Sequence, residues 1–436
     1  MSLSRDCGPI TAAEFAACMA PLAPFEPAPA LAVAVSGGAD SLALALLARD
    51  WVAARGGTLL ALVADHGLRP ESAAEAGATS SRLAGLGIPA RAVRLSVAPG
   101  PALAARARRA RYAALVDACA AAGILHLLLG HHAGDQAETL LMRVLAASAP
   151  AGLAGMAAAR ETGPVRLLRP LLAVPPGRLR AMLRAAGVGW VEDPSNTDAR
   201  ALRSRIRAWR ADPDGNGRAT ISLVAAAEAA GREREAAERL AAARLAACAS
   251  LHPEGFAVLR PGAVDPAVLS ALVQMVGGRV YPPSPRQVAV LARAPAPATL
   301  AGVRLSPAGR LGPGLLLTRE AAAMAGPIPA CAAAWDGRFR LSRDARAPLD
   351  GLMLGALGAA AAGLRRRSPW PAAVSRTLPS LWRGAELVAV PHLGYPDAGP
   401  YAGIEALFCP PRAAAPAPFC PARVSRGCTM RSDTLC

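Results

Sequence analysis

Five apolar residues, Leu31 to Val35, run directly into Ser36-Gly37-Gly38-Ala39-Asp40-Ser41, and the chain continues as LALALLARDW. This reads as a buried strand, a glycine turn and then a helix. Glycine lacks a Cβ, so the backbone can turn tightly there and approach another group closely. The N–H groups in the first turn of the helix have no partner within the helix. The dipole behind them favours a negative charge. The expected product is a phosphate cradle formed by Ser36, Gly37, Gly38, Ala39, Asp40 and Ser41. It is not the loop that ends in Gly-Lys-Ser/Thr, because the 436 residues contain no lysine.

The chain around this loop alternates in type. TLLALVADH (58–66), ARAVRLSV (90–97), ILHLLLG (124–130) and VGWVED (188–193) have strand character, and helix-forming segments lie between them. Such alternation yields a parallel sheet with helices on both faces. Ligands of these sheets bind beyond the carboxyl ends of the strands. Three polar groups are expected at that edge: the Ser-Gly-Gly turn, Asp65-His66-Gly67 and Gly130-His131-His132.

Apolar residues make up 53% of the chain, enough for more than one core. A lead-in helix is expected over 1–29, a nucleotide-binding domain over 30–212 and a linker over 213–220, where Asp, Pro, Gly and Asn collect. A long helix then opens a smaller α+β domain over 221–320. A third unit follows over 332–403, and a Pro/Ala-rich segment over 410–436 is expected to lack fixed structure. The net charge is +17, all 48 basic residues being arginine. That balance favours a polyanionic partner. No uncharged apolar run reaches the roughly 18 residues of a membrane span. The nine cysteines show no CxxC pair, so neither a zinc nor an iron–sulfur site is expected, and a cytoplasmic protein is the simplest reading.

Past the strand ending at Gly130, Asp135 and Glu138 lie three apart on one helix face. They could hold Mg²⁺ on a nucleotide, with Asp40 and Asp135 as ligands, or attract a cationic amine. Both could also serve simply as helix-terminal charges. Asp65, His66 and Arg69 follow a strand, as a capped turn or as groups reaching a substrate. Residues 160–210 carry 11 arginines and 4 acidic residues. The run ending in Arg203, Arg205, Arg207 and Arg210 is too dense for one solvated stripe, which favours RNA backbone contact.

Several strings in order resemble one family: SGGADS, VADHGLR, ARRARY (107–112), GHHAGDQAETLLMR, LLRPLL, and VEDPSNTD followed by RSRIR. They resemble the bacterial tRNA(Ile)-lysidine synthases, convincingly over 30–210 and more loosely to about 320. The resemblance implies an α/β fold, a Rossmann-like parallel sheet with an N-type ATP pyrophosphatase loop, followed by smaller helical and α+β domains. It implies ATP with Mg²⁺, a tRNA(Ile) bearing a CAU anticodon and free lysine as partners, and no membrane. The implied reaction adenylates the wobble cytidine at C2 and then displaces AMP with the lysine ε-amine. The candidate catalytic residues are Asp40, His132, Asp135, Glu138 and Arg108, with Arg108 supporting pyrophosphate departure and His132 or a carboxylate taking the lysine proton. Asp65, His66, Arg69, Arg111, Arg203, Arg205 and Arg207 are candidates for tRNA or nucleotide contact. Oligomeric state is open, a homodimer being one option. The alternatives are a 2-thiolase-like tRNA-modifying ATP pyrophosphatase and a non-catalytic tRNA-binding relative. The sequence departs from the family pattern at Ala102, Ala104, Gly134 and Ala146-Ala147.

Overall fold

The computed structural model describes residues 8–65, 72–95, 100, 103–191, 202–332, 334–342 and 348–423. The chain divides into two compact units, Met1–Ala236 together with Phe419–Cys436, and Ala237–Pro418.

In the first unit the elements run α1 (Ala12–Met19), β1 (Ala30–Val35), α2 (Ala39–Ala53), β2 (Thr58–Asp65), α3 (Ser72–Gly85), β3 (Ala90–Arg94), α4 (Leu103–Ala121), β4 (His126–Leu128), α5 (Ala133–Leu145), β5 (Ala159–Thr162), β6 (Val165–Leu168), α6 (Pro176–Ala185) and α7 (Leu202–Arg210). The sheet order is β3-β2-β1-β4-β6-β5, parallel except for the edge strand β5. The chain steps outward from β1 to β3, then returns to the other side of β1 as β4. A crevice opens at the carboxyl ends where the order reverses. Successive side chains of β1 point to opposite faces. Leu31, Val33 and Val35 enter the core shared with α1, α2 and α6, and Ala32 enters the core under α4. Every residue of α2 from Leu42 to Ala48 is buried. A helix apolar all round must be packed on all sides, and α2 packs against α1, α6 and the sheet.

Two strand expectations change. ILHLLLG keeps only His126–Leu128 in the sheet. VGWVED does not form a strand over 188–191; β6, from the LLRPLL string, takes the place beside β4. Val188 instead closes the turn after α6, donating to Leu183 O, and Val191 N–H donates to Gly37 O at 3.0 Å. The segment therefore runs along the phosphate loop rather than along the sheet. Residues 192–201 lie outside the described part.

α8 (Arg218–Cys248) carries the chain toward the second unit. There β7 (Ala249–His252), β8 (Phe256–Leu259), β9 (Ala298–Leu300), β10 (Val303–Pro307) and β11 (Leu315–Arg319) form a sheet in the order β7-β8-β11-β10-β9. α9 (Pro266–Val276) and α10 (Pro285–Arg293) belong to the same unit. A second sheet combines Ile328–Pro329, Met353–Ala356, Pro379–Arg383 and Glu386–Ala389. Phe256, Val258 and Leu316 of the first sheet pack with Leu357, Val374, Leu378 and Val390 beside the second. The spans 221–320 and 332–403 are read from sequence as separate domains; the part of the first from 237 on shares a core with the second, and 221–236 belong to the first unit. Asp336 pairs with Arg319 (3.0 Å) and with the fully buried Arg338 (2.7 Å). Burial pushes Arg338 down to about 10, against the pull of Asp336.

The segment from 410, expected to be unstructured, has fixed partners at 419–423. Ala158 N–H donates to Cys420 O at 2.8 Å, and Phe419 and Ala422 are buried in the first unit.

Candidate active site

The glycine turn after β1 forms by the logic of its sequence. Gly37 has φ +83°, and a Cβ there would lie 2.8 Å from Thr79 Oγ1. Gly38 is the N-cap of α2, and no side chain among the described residues caps this helix. Ser41 Oγ instead bonds inward, to Gly38 O at 2.9 Å and from Ser36 N–H at 3.2 Å. The loop's own hydroxyl fixes its shape and leaves the first-turn amides of Ala39, Asp40 and Ser41 without intrahelical acceptors. Gly130, at the end of β4, lets a second backbone approach: its Cβ would lie 3.2 Å from Asp40 C and O. The carboxyl ends of β1 and β4 therefore meet at the loop.

α5 begins three residues past Gly130. His132 is its N-cap and forms a capping box with Asp135: His132 N–H donates to Asp135 Oδ2 at 3.1 Å, and Asp135 N–H donates to His132 Nδ1 at 3.4 Å. Nδ1 acting as acceptor places the ring proton on Nε2. Nε2 lies 3.5 Å from Asp40 Oδ2 and 3.6 Å from Asp135 Oδ2. Burial works against a charge on His132, but Asp135 and the Asp40 contact outweigh it and raise its pKa. A second proton would have to enter at Nδ1 and would displace the capping amide. Burial also works against a charged Asp135, yet His132 and Arg203 hold this carboxyl well below the usual range. Burial pushes the neighbouring His131 down to about 3, so it is neutral.

α7 answers these carboxylates. Arg203 Nε and Arg207 Nε donate to the two oxygens of Glu138, each at 2.7 Å, and Arg203 Nη2 donates to Asp135 Oδ1 at 2.8 Å. Arg210 Nη1 donates to Gly134 O at 2.8 Å. Residues 203, 207 and 210 follow the helical repeat and share one face of α7. Glu138 is fully buried. Among the described residues, three guanidinium groups thus stand against Asp135 and Glu138.

This arrangement alters several roles expected from sequence. Both oxygens of Glu138 are taken by arginines, so it offers none to a substrate amine. Arg203 and Arg207 turn inward instead of presenting to RNA. Arg205 is exposed on the opposite face, with the 78% exposed Trp209 four residues on. Asp65, at the end of β2, is buried and accepts from Ser72 Oγ at 2.7 Å. His66 and Arg69 lie outside the described residues. Arg108 is exposed and donates to Tyr112 OH at 3.3 Å. Burial lowers the pKa of Arg111.

Sequence reasoning passed over other groups here. Gln136 is fully buried and bonds both ways with the Met156 backbone, at 2.7 and 3.2 Å. Arg169, inside LLRPLL, is buried, donates to Ala157 O at 2.9 Å and hydrogen bonds with Tyr112. Arg210, read from sequence only as part of a basic run for RNA contact, is set on this face by its helical spacing to Arg203. The departure at Gly134 has a physical counterpart, since a Cβ there would lie 2.9 Å from His132 Cε1 and 3.1 Å from Arg210 Nη2. Ala102 and the Ala104 side chain lie outside the described part.

A phosphate cradle with free helix amides, set at the switch point of a parallel sheet and faced by a histidine–carboxylate cap, defines an ATP pyrophosphatase. The PP-loop domain family matches residues 10–209. A tRNA(Ile)-lysidine synthase from Ruegeria pomeroyi is 40% identical over 395 residues, covering 85% of this chain and 90% of its own. Those from Bradyrhizobium diazoefficiens and Rhodopseudomonas palustris are 45% and 47% identical, covering 47% and 42% of this chain and 56% and 54% of theirs. The chain belongs to the tRNA(Ile)-lysidine synthase family, and so to the ATP-using ligases.

Proposed function

We propose that this chain joins the ε-amine of free lysine to C2 of the wobble cytidine of a tRNA(Ile) with a CAU anticodon. The O2 of cytidine attacks the α-phosphorus of ATP and pyrophosphate leaves. The lysine amine then attacks C2 and AMP leaves, giving lysidine. The observation that carries this reading is the meeting of the carboxyl ends of β1 and β4: His132 Nε2 lies 3.5 Å from Asp40 Oδ2 at the mouth of the phosphate loop.

The residues divide the work. The amides of Gly37 to Ser41 receive the phosphates, with the α2 dipole behind them. Among the described residues, Asp40 Oδ1 is buried without a partner. Both oxygens of Asp135 are engaged, by Arg203 and by the His132 amide. Mg²⁺ that arrives on ATP needs only one or two protein carboxylates, so Asp40 is the group that would hold it and Asp135 is not. The ion would neutralise charge on the departing pyrophosphate. Arg203 and Arg207, fixed on Glu138, bring guanidinium groups to the same edge, and the charge of Arg108 reaches it too, acting on His131. His132, with its proton on Nε2, is placed to donate to an anionic oxygen. Once pyrophosphate and the ion it carries have left, the proton lost by the lysine ammonium goes to Asp40, whose Oδ1 has no partner among the described residues. Asp65 and Arg111 support the nucleotide side, and residues 221–320 add tRNA contact beyond the catalytic unit. Exposed Arg205 and Trp209 offer a guanidinium and an aromatic face to RNA. The cytoplasm is the proposed location; no helix among the described residues is long and apolar enough to cross a membrane.

The thiolase-like alternative needs a reactive thiolate near the loop. Burial pushes the Cys119 and Cys18 thiols up to about 11, which disfavours that form. The test is mass analysis of nucleosides from CAU-anticodon tRNA(Ile) incubated with the protein, ATP and lysine. Lysidine formed only with all three supports the reading. Adenylated tRNA that never gains lysine, or a sulfur-bearing nucleoside, overturns it.

A further inference from the structure

The chain leaves the first unit at Ala236 and returns to it at Phe419. The returning residues are seated on several independent contacts. Cys420 O accepts from Ala158 N–H at 2.8 Å, and Cys420 forms an antiparallel bridge with Ala159 at the start of the edge strand β5. Phe419 and Ala422 are buried. The Arg234 guanidinium lies 4.6 Å from the centre of the Phe419 ring, and the same arginine donates to Ala151 O at 3.2 Å. Gly231 of α8 makes the space, since a Cβ there would lie 2.8 Å from Pro421 Cβ and 3.1 Å from Phe419 Cε1.

What this segment holds leads into the site. Ala158, whose N–H meets Cys420, accepts from Arg169 N–H at 2.7 Å, and Arg169 Nη1 grips Ala157 O at 2.9 Å. One residue earlier, Met156 is bonded both ways to Gln136 of α5. Arg143, two turns along α5, donates to Gly152 O at 2.5 Å and to Gly155 O at 2.6 Å. Residues 150–159 are therefore clamped to α5 on one side and to residues 419–423 on the other. Gln136 stands between Asp135 and Glu138 in sequence, on the fully buried side of the helix.

We propose that residues 419–423 are a positioning strap for the catalytic unit: by fixing 156–159 they fix Gln136, Arg169 and the first turns of α5. The inference rests on the reading that α5 carries the His132–Asp135 cluster. The strap touches no reacting group and acts through the loop. A displacement of α5 by about 1 Å is enough to cost a catalytic constellation on the order of a hundredfold.

The test uses the full-length chain. Gly231→Ala is the informative variant, because alanine favours the middle of a helix and its methyl group still collides with the seated segment. Phe419→Ala removes the anchor from the other side. Hydrogen exchange of peptides spanning 150–159 and 133–145 is measured with kcat and KM for ATP and lysine. The expected result is faster exchange in both peptides and kcat lowered about tenfold to a hundredfold in either variant, with KM for ATP unchanged. Restored protection and kcat in Phe419→Tyr, which keeps the ring over Arg234, is expected too. Wild-type exchange and kcat in Gly231→Ala and Phe419→Ala overturn the strap, as does a lowered melting temperature with kcat unchanged. Asp135→Asn is the control. If it leaves activity intact, the α5 reading itself has failed; if it abolishes activity while the strap variants do not, only the strap has failed.

Discussion

Asp40 is the residue on which the chemistry turns. Its side chain is one-third exposed, one oxygen has no partner among the described residues, and it contributes little to the core. Asp40→Asn should lower adenylate formation by about a hundredfold or more while leaving the melting temperature near wild type. ATP-dependent adenylation of tRNA, followed in the same samples as thermal melting, checks both halves. Glu138 has the opposite character. Replacing it by glutamine leaves Arg203 and Arg207 facing a neutral group in a buried site, at a cost of about 1–3 kcal/mol, visible as a shifted denaturant midpoint. Ala147 carries a different lesson. It is the residue after the α5 C-cap, at φ +47°, with Ala147 N–H donating to Val144 O and Ser148 N–H to Arg143 O. This is a Schellman stop, where the left-handed backbone favours glycine. Ala147→Gly should stabilise the protein by about 1 kcal/mol, and no gain in melting temperature would count against the assigned backbone. Glu14 ties α1 to α6 through two bonds to Arg178, at 2.8 and 2.9 Å, and these hold its carboxyl down at about 2, against an ordinary 4.5. The folded pKa is depressed, so this stabilisation is present above about 4.5 and is lost as pH falls toward 2. Glu14→Gln keeps the cap of α1 and removes the charge, so the stability gap to wild type should close over that window in acid titrations.

At the scale of elements, α7 is the helix whose reading changed most. Its sequence, LRSRIRAWR, looks uniformly basic. In the fold its two sides differ: Arg203, Arg207 and Arg210 are drawn to α5, and Arg205 with Trp209 faces outward. The two sets should separate by salt. Arg205→Ala should lower the slope of log K against log salt for tRNA binding by about 0.7–0.9 for a single lost phosphate contact. Arg203→Ala and Arg207→Ala should leave that slope unchanged and lower the rate of chemistry instead. Filter binding across a salt series, paired with single-turnover rates, distinguishes them, and equal slopes in all three variants would return Arg205 to ordinary solvation. The helices themselves were legible because periodicity and caps are local. The partner of each face was not, since an arginine's spacing carries no record of which carboxylate lies opposite.

At the scale of the molecule, the second unit has its own electrostatic pin. Asp336 lies between Arg319 and the buried Arg338 at φ +51°. Asparagine tolerates that backbone, so Asp336→Asn isolates the charge. It should destabilise Ala237–Pro418 by about 3–5 kcal/mol. Hydrogen exchange resolved by peptide should show the loss in the second unit, with the amides of β1, β2 and β4 retaining their protection. Loss spread evenly over both units would mean that they unfold together.

Local interactions settled much of this protein before any packing was considered. A strand, a glycine turn and a helix with Asp40 in its first turn follow from backbone sterics and helix dipoles within about twenty residues. The alternation of periods that dictates a parallel sheet is equally local, and it placed Ser36–Ser41 and His131-His132 at one sheet edge. Only tertiary structure decided what those residues meet. It made 165–168 rather than 188–193 the strand beside β4, turned three arginines of α7 onto Asp135 and Glu138, joined 237–320 and 332–403 through one core, and seated residues 419–423 beside Ala158. Each of these joins positions far apart in the chain. Their energy comes from burial and charge pairing after collapse, and sequence spacing does not encode which distant group will complete them.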